Sequence, residues 1–398
     1  MMLFYFDFAI WRKLRQLVAG IPDEKRRRGL RRLLLLTIPL RAAGHGLCYF
    51  LDGILFPGLW RAKVTAPVFV IGHARSGTTL AHRLMCADPQ FSAFKYWELR
   101  LPALLEKKFV LLLARLDSDV LGKRFARRLE AWEDRKFGPM RQIHKMGLNV
   151  PEEDDLIFYD SCASGFWMTK LPYLGDLDFF HIDQRPPAAR RRLMGFYRDC
   201  VRRQLHLNGR DRIHLSKNPS WCGRIEAILE VFPDARFVVL YRNPYETIPS
   251  LLKLLTVSWK HQGNVDADKI RESVRAMTAL SYDTYLYPLT ALARHPHTPQ
   301  AVVDYRELVA EPLRTVERIY ADLGLKMTEA FRESLRKEQE RARRHETEHR
   351  YSLAEFGLDN AEIRQKLAPL FERFHWDAEE TAAREADQAH ATGVESRA

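Results

Sequence analysis

The stretch that most limits the folds open to this 398-residue chain is "PVFVIGHARSGTTL", Pro67 to Leu80. A β-branched and aromatic run closes on Gly72, and apolar residues then recur at helical spacing through Leu80, Leu84 and Met85. This pattern predicts a buried strand, a glycine-bounded turn and a helix. Gly72 and Gly77 have the spacing of the phosphate loop G-x-x-x-x-G-K-[ST], but Thr78 and Thr79 stand where its Lys and Ser/Thr belong. A turn of this kind offers backbone N–H groups and the positive end of a helix to an anion. Ser76, Thr78 and Thr79 add hydroxyl donors, and Arg75 is the one cationic side chain in the loop.

The alternation recurs downstream. "ARFVVLYR" (Ala235 to Arg242) predicts a second buried strand, preceded by a helix with Ile225, Ile228, Leu229 and Phe232 on one face. Arg212 to Lys217 and Gln300 to Tyr305 are shorter strands, the latter leading into a helix with Leu313, Val316, Ile319, Tyr320 and Leu323. Strands alternating with helices predict an α/β fold: a P-loop-like three-layer sandwich whose mostly parallel central sheet is flanked by helices. The expected division is a helical N-terminal segment over 1–60, one main domain over 61–378 and a disordered tail over 379–398. The mixed charge run Arg332 to Arg350 reads as a solvated helix face.

A formal charge of +12 favours an anionic partner. No nucleic-acid module accompanies the charge, so nucleic acid is not expected. The five cysteines, at 48, 86, 162, 200 and 222, have no C-x-x-C spacing, and neither a disulfide framework nor a zinc site is expected. Unpaired thiols fit a reducing, cytoplasmic compartment. In the first 60 residues, the apolar run after Arg32 is stopped by Arg41 and the next is interrupted by Asp52. Neither reaches the ~20 residues that span a bilayer. Two readings stay open: a buried helix pair, serving as core or as a homo-oligomer contact, or a segment lying peripherally in the inner membrane interface. The second is favoured by the basic cluster Lys25 to Arg32 and by Tyr49, Phe50, Phe56 and Trp60. The basic runs Ala188 to Gln204 and Lys123 to Trp132 read as solvated helix faces, or else as a membrane-facing or acceptor-steering surface.

"GHARSGTTL" resembles the 5′-phosphosulfate loop of sulfotransferases that use 3′-phosphoadenosine-5′-phosphosulfate, PAPS. "YRNPYETIPS" is similar to that family's 3′-phosphate site, an arginine at a strand end (here Arg242) and a serine eight residues on (here Ser250). "SKNPSW" resembles the segment that supplies a lysine beside the transferring group, here Lys217. "MGLNVPEEDDL" and "HRYSLAEFGL" resemble segments of a bacterial branch that includes relatives of protein-tyrosine sulfotransferases. The resemblance runs from about Pro67 to Trp376. It implies that Arg75, Ser76, Gly77, Thr78, Thr79, Arg242 and Ser250 bind PAPS as donor co-substrate, with no metal. The acceptor it implies is a small molecule with a hydroxyl or amine; a lipid-like alcohol would suit a membrane-facing N-terminus, and Tyr96 to Asp211, rich in Phe, Trp, Tyr and Leu, is the segment expected to receive it.

In-line sulfuryl transfer to such an acceptor needs a general base. Cytosolic sulfotransferases place a histidine two residues after the lysine, but here Lys217 is followed by Asn218 and Pro219. The protein-tyrosine branch uses a glutamate beyond the loop helix, which resemblance carries to Glu98 in "YWELRLP". His144, Glu152 and Glu153, in "IHKMGLNVPEEDD", are the other candidates. Two rival readings of the chain are a P-loop kinase-like protein and a non-catalytic nucleotide-binding scaffold at a membrane. The first would need a Mg²⁺-holding aspartate at a strand end, and neither Lys217 nor Tyr241-Arg242 supplies it.

Overall fold

The computed structural model describes residues 3–141, 147–263, 265–342 and 353–377. Five strands, β1 (Val68–Gly72), β2 (Phe91–Ser92), β3 (Ile213–Lys217), β4 (Arg236–Tyr241) and β5 (Gln300–Asp304), form one parallel sheet in the order β2-β3-β1-β4-β5. Four of them follow the predicted runs. The two-residue β2 is too short to show an alternation, and only its pairing of Phe91 with Ile213 and Ser92 with His214 defines it. The helices that surround the sheet and the N-terminal segment include α1 (Phe8–Ala19), α2 (Glu24–Leu55), α3 (Thr78–Cys86), α4 (Leu104–Asp119), α5 (Arg124–Arg141), α6 (Pro187–Asn208), α7 (Ile225–Val231), α8 (Pro244–His261), α9 (Ala267–Ala293) and α10 (Pro312–Asp322).

The sheet is buried on both faces, which is why its strands read as unbroken apolar runs. Side chains alternate across a strand, so Phe69 and Ile71 of β1 join Phe237, Val239 and Tyr241 of β4 in one core under α6 to α9. Val68 and Val70 join Val238 and Leu240 in the other core, under α3 and α10. This is the three-layer sandwich expected from the sequence. All five strands run the same way, so every strand-to-helix loop emerges at one edge. β1 is central: the chain leaves it through α3 on one face, and α7 crosses from β3 to β4 on the other, which opens a crevice at the end of β1.

The N-terminal segment departs from the expectation in one respect. Arg41 does not break the helix, since arginine is a good helix former. The two apolar runs join in one continuous helix, α2, with a π turn at Leu33–Thr37. By length and composition it is long enough to cross a membrane, contrary to the sequence expectation. Its C-terminal half nevertheless docks on the main domain. Asp52, fully buried, accepts from Arg203 Nε of α6 (2.7 Å) and from the first amides of α4, Leu104 N (2.7 Å) and Leu105 N (2.8 Å). Arg203 is therefore no part of a solvated face, although its basic run suggested one. The charge run from Arg332 forms a helix over Glu329–Ala342. Its remainder, Arg343 to Arg350, and the tail beyond 377 lie outside the described residues.

Candidate active site

The loop after β1 is shaped by its glycines. Gly72 has φ 147°, and a Cβ there would lie 2.3 Å from the Leu240 carbonyl oxygen of β4. Gly77 has φ 87°, and a Cβ there would meet the Tyr305 ring at 2.4 Å. Only glycine fits either place. Arg75 is itself left-handed, at φ 74°, which turns the loop toward the start of α3. Ser76 and Thr78 are buried in the loop, while Arg75 and Thr79 are exposed at its mouth.

Three predicted groups meet at this edge of the sheet. Arg75 Nε donates to Ser250 Oγ of α8 at 3.2 Å. Arg242, just past β4, directs Nη1 at the Arg75 carbonyl (3.4 Å) and pairs with Glu246. Its guanidinium lies 4.3 Å from the centre of the Tyr305 ring, the same ring that packs on Gly77. Lys217, at the end of β3, pairs with Val70 in register, and the following Asn218 N–H donates to the Val70 carbonyl (3.1 Å). Arg75, Lys217, Arg242 and Ser250 thus stand around the end of β1.

Side chains that sequence reasoning did not single out support them. His73 stacks on Tyr285 of α9 (4.9 Å, 15°), and its Nε2 lies 2.9 Å from Ser281 Oγ. The Ser281 hydroxyl donates to the Met277 carbonyl, so it accepts from His73 Nε2–H. Burial pushes the His73 pKa down to about 4, so the ring is neutral at pH 7. The Tyr285 hydroxyl donates to the Arg242 carbonyl (2.8 Å) and accepts from Thr247 Oγ1 (2.5 Å). One helix, α9, therefore holds both the loop and the arginine. No sequence signal marks this, because these residues lie some 200 positions from the loop.

The candidates for the base separate. Glu98 is buried and closes a capping box: Oε2 accepts from Lys95 N (2.9 Å), and Oε1 accepts from Asn208 Nδ2 at the end of α6 (2.8 Å). It also faces buried Lys107, whose pKa burial lowers and the Glu98 charge raises. Both Glu98 oxygens are thus taken by groups outside the loop. Glu153 instead meets Lys217 directly, Oε1 to Nζ 3.0 Å. Its neighbours in "PEEDD" hold it there. Asp154 accepts from Tyr197 and lies 3.1 Å from His214 Nε2, in a fully buried group. Asp155 accepts from Ser164 Oγ (2.7 Å), Gly165 N (2.5 Å) and Arg224 Nη2 (2.9 Å). Glu152 is buried, and its N–H donates to the Phe94 carbonyl (3.1 Å). His144 lies outside the described residues.

Comparison with known proteins bears on the family and the fold. The model of the sulfotransferase family matches residues 67–329. The chain is 27% identical over 288 residues to omega-hydroxy-beta-dihydromenaquinone-9 sulfotransferase Stf3 of Mycobacterium tuberculosis and of Mycobacterium bovis, a match covering 68% of this chain. It spans 66% of those relatives' own length, just under two thirds. Among solved structures, sulfotransferase STF9 from Mycobacterium avium superimposes with TM-score 0.69 at 20% identity, covering 94% of this chain and 93% of that one. STF1 from Mycobacterium tuberculosis gives 0.64 at 22% identity, covering 90% of each. These likenesses establish a shared fold, and the family match extends over most of the chain. The protein belongs to the sulfotransferase family.

Proposed function

We propose that this protein transfers a sulfuryl group from PAPS to a hydroxyl of a lipid-like acceptor. The observation that carries the reading is the gathering of Arg75, Lys217, Arg242 and Ser250 around the end of β1. The residues present fit the donor. Arg242 offers a planar fork to the 3′-phosphate, and Ser250 a hydroxyl beside it. The loop amides, Thr78, Thr79 and Arg75 would hold the 5′ end, where a Walker lysine is not needed. PAPS supplies an activated sulfuryl group: its bond to the donor phosphate oxygen breaks as a bond to the acceptor oxygen forms.

The chain's own residues do the rest. Arg75 and Lys217 are placed to stabilise the charge that develops on the leaving phosphate. We assign the acceptor proton to the Glu153 carboxylate, the acid that the fold places beside Lys217, in preference to Glu98. The Asp154 and Asp155 bonds fix the backbone on which Glu153 rides. A lipid-like acceptor is supported by the relatives, named for a menaquinone derivative. Five unpaired cysteines support a cytoplasmic site, and the basic, partly apolar α2 supports peripheral contact with the membrane's inner face. The test is incubation of the enzyme with radiolabelled PAPS and a series of polyprenyl alcohols and quinols. Label in the lipid phase, lost in Lys217→Ala, supports the reading; no transfer to any lipid alcohol overturns the acceptor class.

A further inference from the structure

The hairpin of α4 and α5 carries a surface for which donor binding and sulfuryl transfer give no reason. From Lys108 to Leu116 every residue of α4 is exposed, and six of the nine are large and apolar. A helix that is apolar on all sides is ordinarily buried in a core or in lipid. The apolar surface continues over the hairpin tip, with Val120 73% and Phe125 58% exposed. It also reaches the neighbouring α2, which packs beside α4 and exposes Leu40, Leu47 and Ile54. Scattered exposed leucines are normal, but a continuous apolar face on three adjoining helices marks an interaction site.

Charge says what covers it. Between Lys108 and Arg128 there are six cations, Lys108, Arg115, Lys123, Arg124, Arg127 and Arg128, against two carboxylates, Asp117 and Asp119. Asp117 is buried, accepting from Phe125 N (3.0 Å) and Ala126 N (2.8 Å), so its charge is spent on capping α5. That clamp also makes the tip a fixed turn. On α2, Arg28, Arg31 and Arg32 are exposed at the end nearer the chain start. Apolar side chains bordered by cations suit the headgroup and acyl boundary of an anionic bilayer.

We propose that the α4–α5 hairpin, with the outer side of α2, inserts into one leaflet of an anionic lipid bilayer, so that the protein is held peripherally through the hairpin and not by a spanning helix. The inner side of α2 argues for this orientation: Asp52 is locked to Arg203, and His45 to Glu106 (2.5 Å). Moving α2 across a bilayer would break both pairs.

The test uses the full chain and cosedimentation with phosphatidylcholine vesicles, either pure or containing about a third phosphatidylglycerol. Two variants change exposed residues only: Leu112→Glu with Leu116→Glu, and Arg127→Glu with Arg128→Glu. Melting curves confirm that they fold. The wild type should sediment with the anionic vesicles and less with neutral ones, and both variants should lose at least about ten-fold in partitioning. Partitioning that is unchanged in both folded variants overturns the proposal. So does a wild type that ignores vesicles and sediments as a dimer in ultracentrifugation, with L112E/L116E monomeric, because a second copy then covers the face.

Discussion

The Glu153 carboxylate lies 3.0 Å from the Lys217 ammonium, and the Lys217 side chain is otherwise sealed from water. A buried cation of this kind must be paired or it destabilises the fold. On the proposed reading, a developing negative charge beside Lys217 would give the ammonium a second partner and loosen its hold on Glu153, so that the pair would link charge stabilisation to proton acceptance. Glu153→Gln keeps the shape and removes the base, and turnover should fall by about 10²–10⁴-fold with binding of the desulfonated donor, PAP, unchanged. Glu98→Gln should retain most activity and lower the melting temperature. The reverse pattern in the two variants would return the role to Glu98.

Lys217→Ala should lower the chemical step by about 10²–10³-fold, more than it lowers donor affinity. Single-turnover kinetics separate the two. Near-normal turnover would remove Lys217 from the mechanism.

Arg242 is held from two sides, by Glu246 and by the Tyr285 hydroxyl on its carbonyl. Arg242→Ala should cost about 1.5–3 kcal/mol in PAP affinity, the range of a charge-assisted contact. Tyr285→Phe should cost less and leave affinity for a 3′-dephospho analogue untouched. Equal losses for both ligands in Tyr285→Phe would show a general loosening of the loop and not a defect in the 3′ subsite.

The sequence disclosed those parts of the site whose residues lie next to one another in the chain. The glycine spacing of the loop, the Arg242–Ser250 interval and Lys217 at a strand end are local patterns, and each lies where a strand and its following turn put it. The two-residue β2 carried no period to read, and the helical propensity of Arg41 was outweighed in that reading by its charge. Residues that act across the fold were silent. His73, Ser281, Tyr285 and Tyr305 meet only when α9 and β5 close on the loop. Glu153 stood behind Glu98 as a candidate base because an acidic run carries no mark of the separate partners, Lys217, His214 and Arg224, that three of the carboxylates in "PEEDD" meet.

Docking of α2 depends on a fully buried pair. Asp52→Ala leaves the Arg203 charge buried and uncaps α4, and should destabilise the protein by about 3–5 kcal/mol. Asp52→Leu combined with Arg203→Met should recover most of that loss. Chemical denaturation checks both. A double variant no more stable than Asp52→Ala would show that the pair's partners, and not its charges, carry the interface.

The same contact depends on pH. Burial opposes a charge on His45, but Asp160 and Glu106 outweigh it and raise its pKa to about 9 from 6.5. The raised value means that the folded state holds the proton more tightly than the unfolded chain. The resulting stabilisation, on the order of 3 kcal/mol, is complete below pH 6.5 and disappears as pH rises through about 9. His73 and His82 act oppositely, since burial lowers each to about 4. Their contribution is complete above pH 6.5 and is lost as pH falls toward 4. Stability should therefore peak near neutrality. Hydrogen exchange in α2 should accelerate between pH 7 and 9, after correction for the intrinsic rate, and His45→Gln should abolish that pH dependence.

The central claim, that the end of β1 is a PAPS site, is tested most directly by calorimetric titration of the wild type with PAP, with its 3′-dephospho analogue and with ATP–Mg²⁺. The account predicts tight binding of PAP, a loss on the order of 1.5–3 kcal/mol when the 3′-phosphate is absent, and no comparable affinity for ATP–Mg²⁺. Equal affinity for PAP and its 3′-dephospho analogue, or preference for ATP–Mg²⁺, would contradict it.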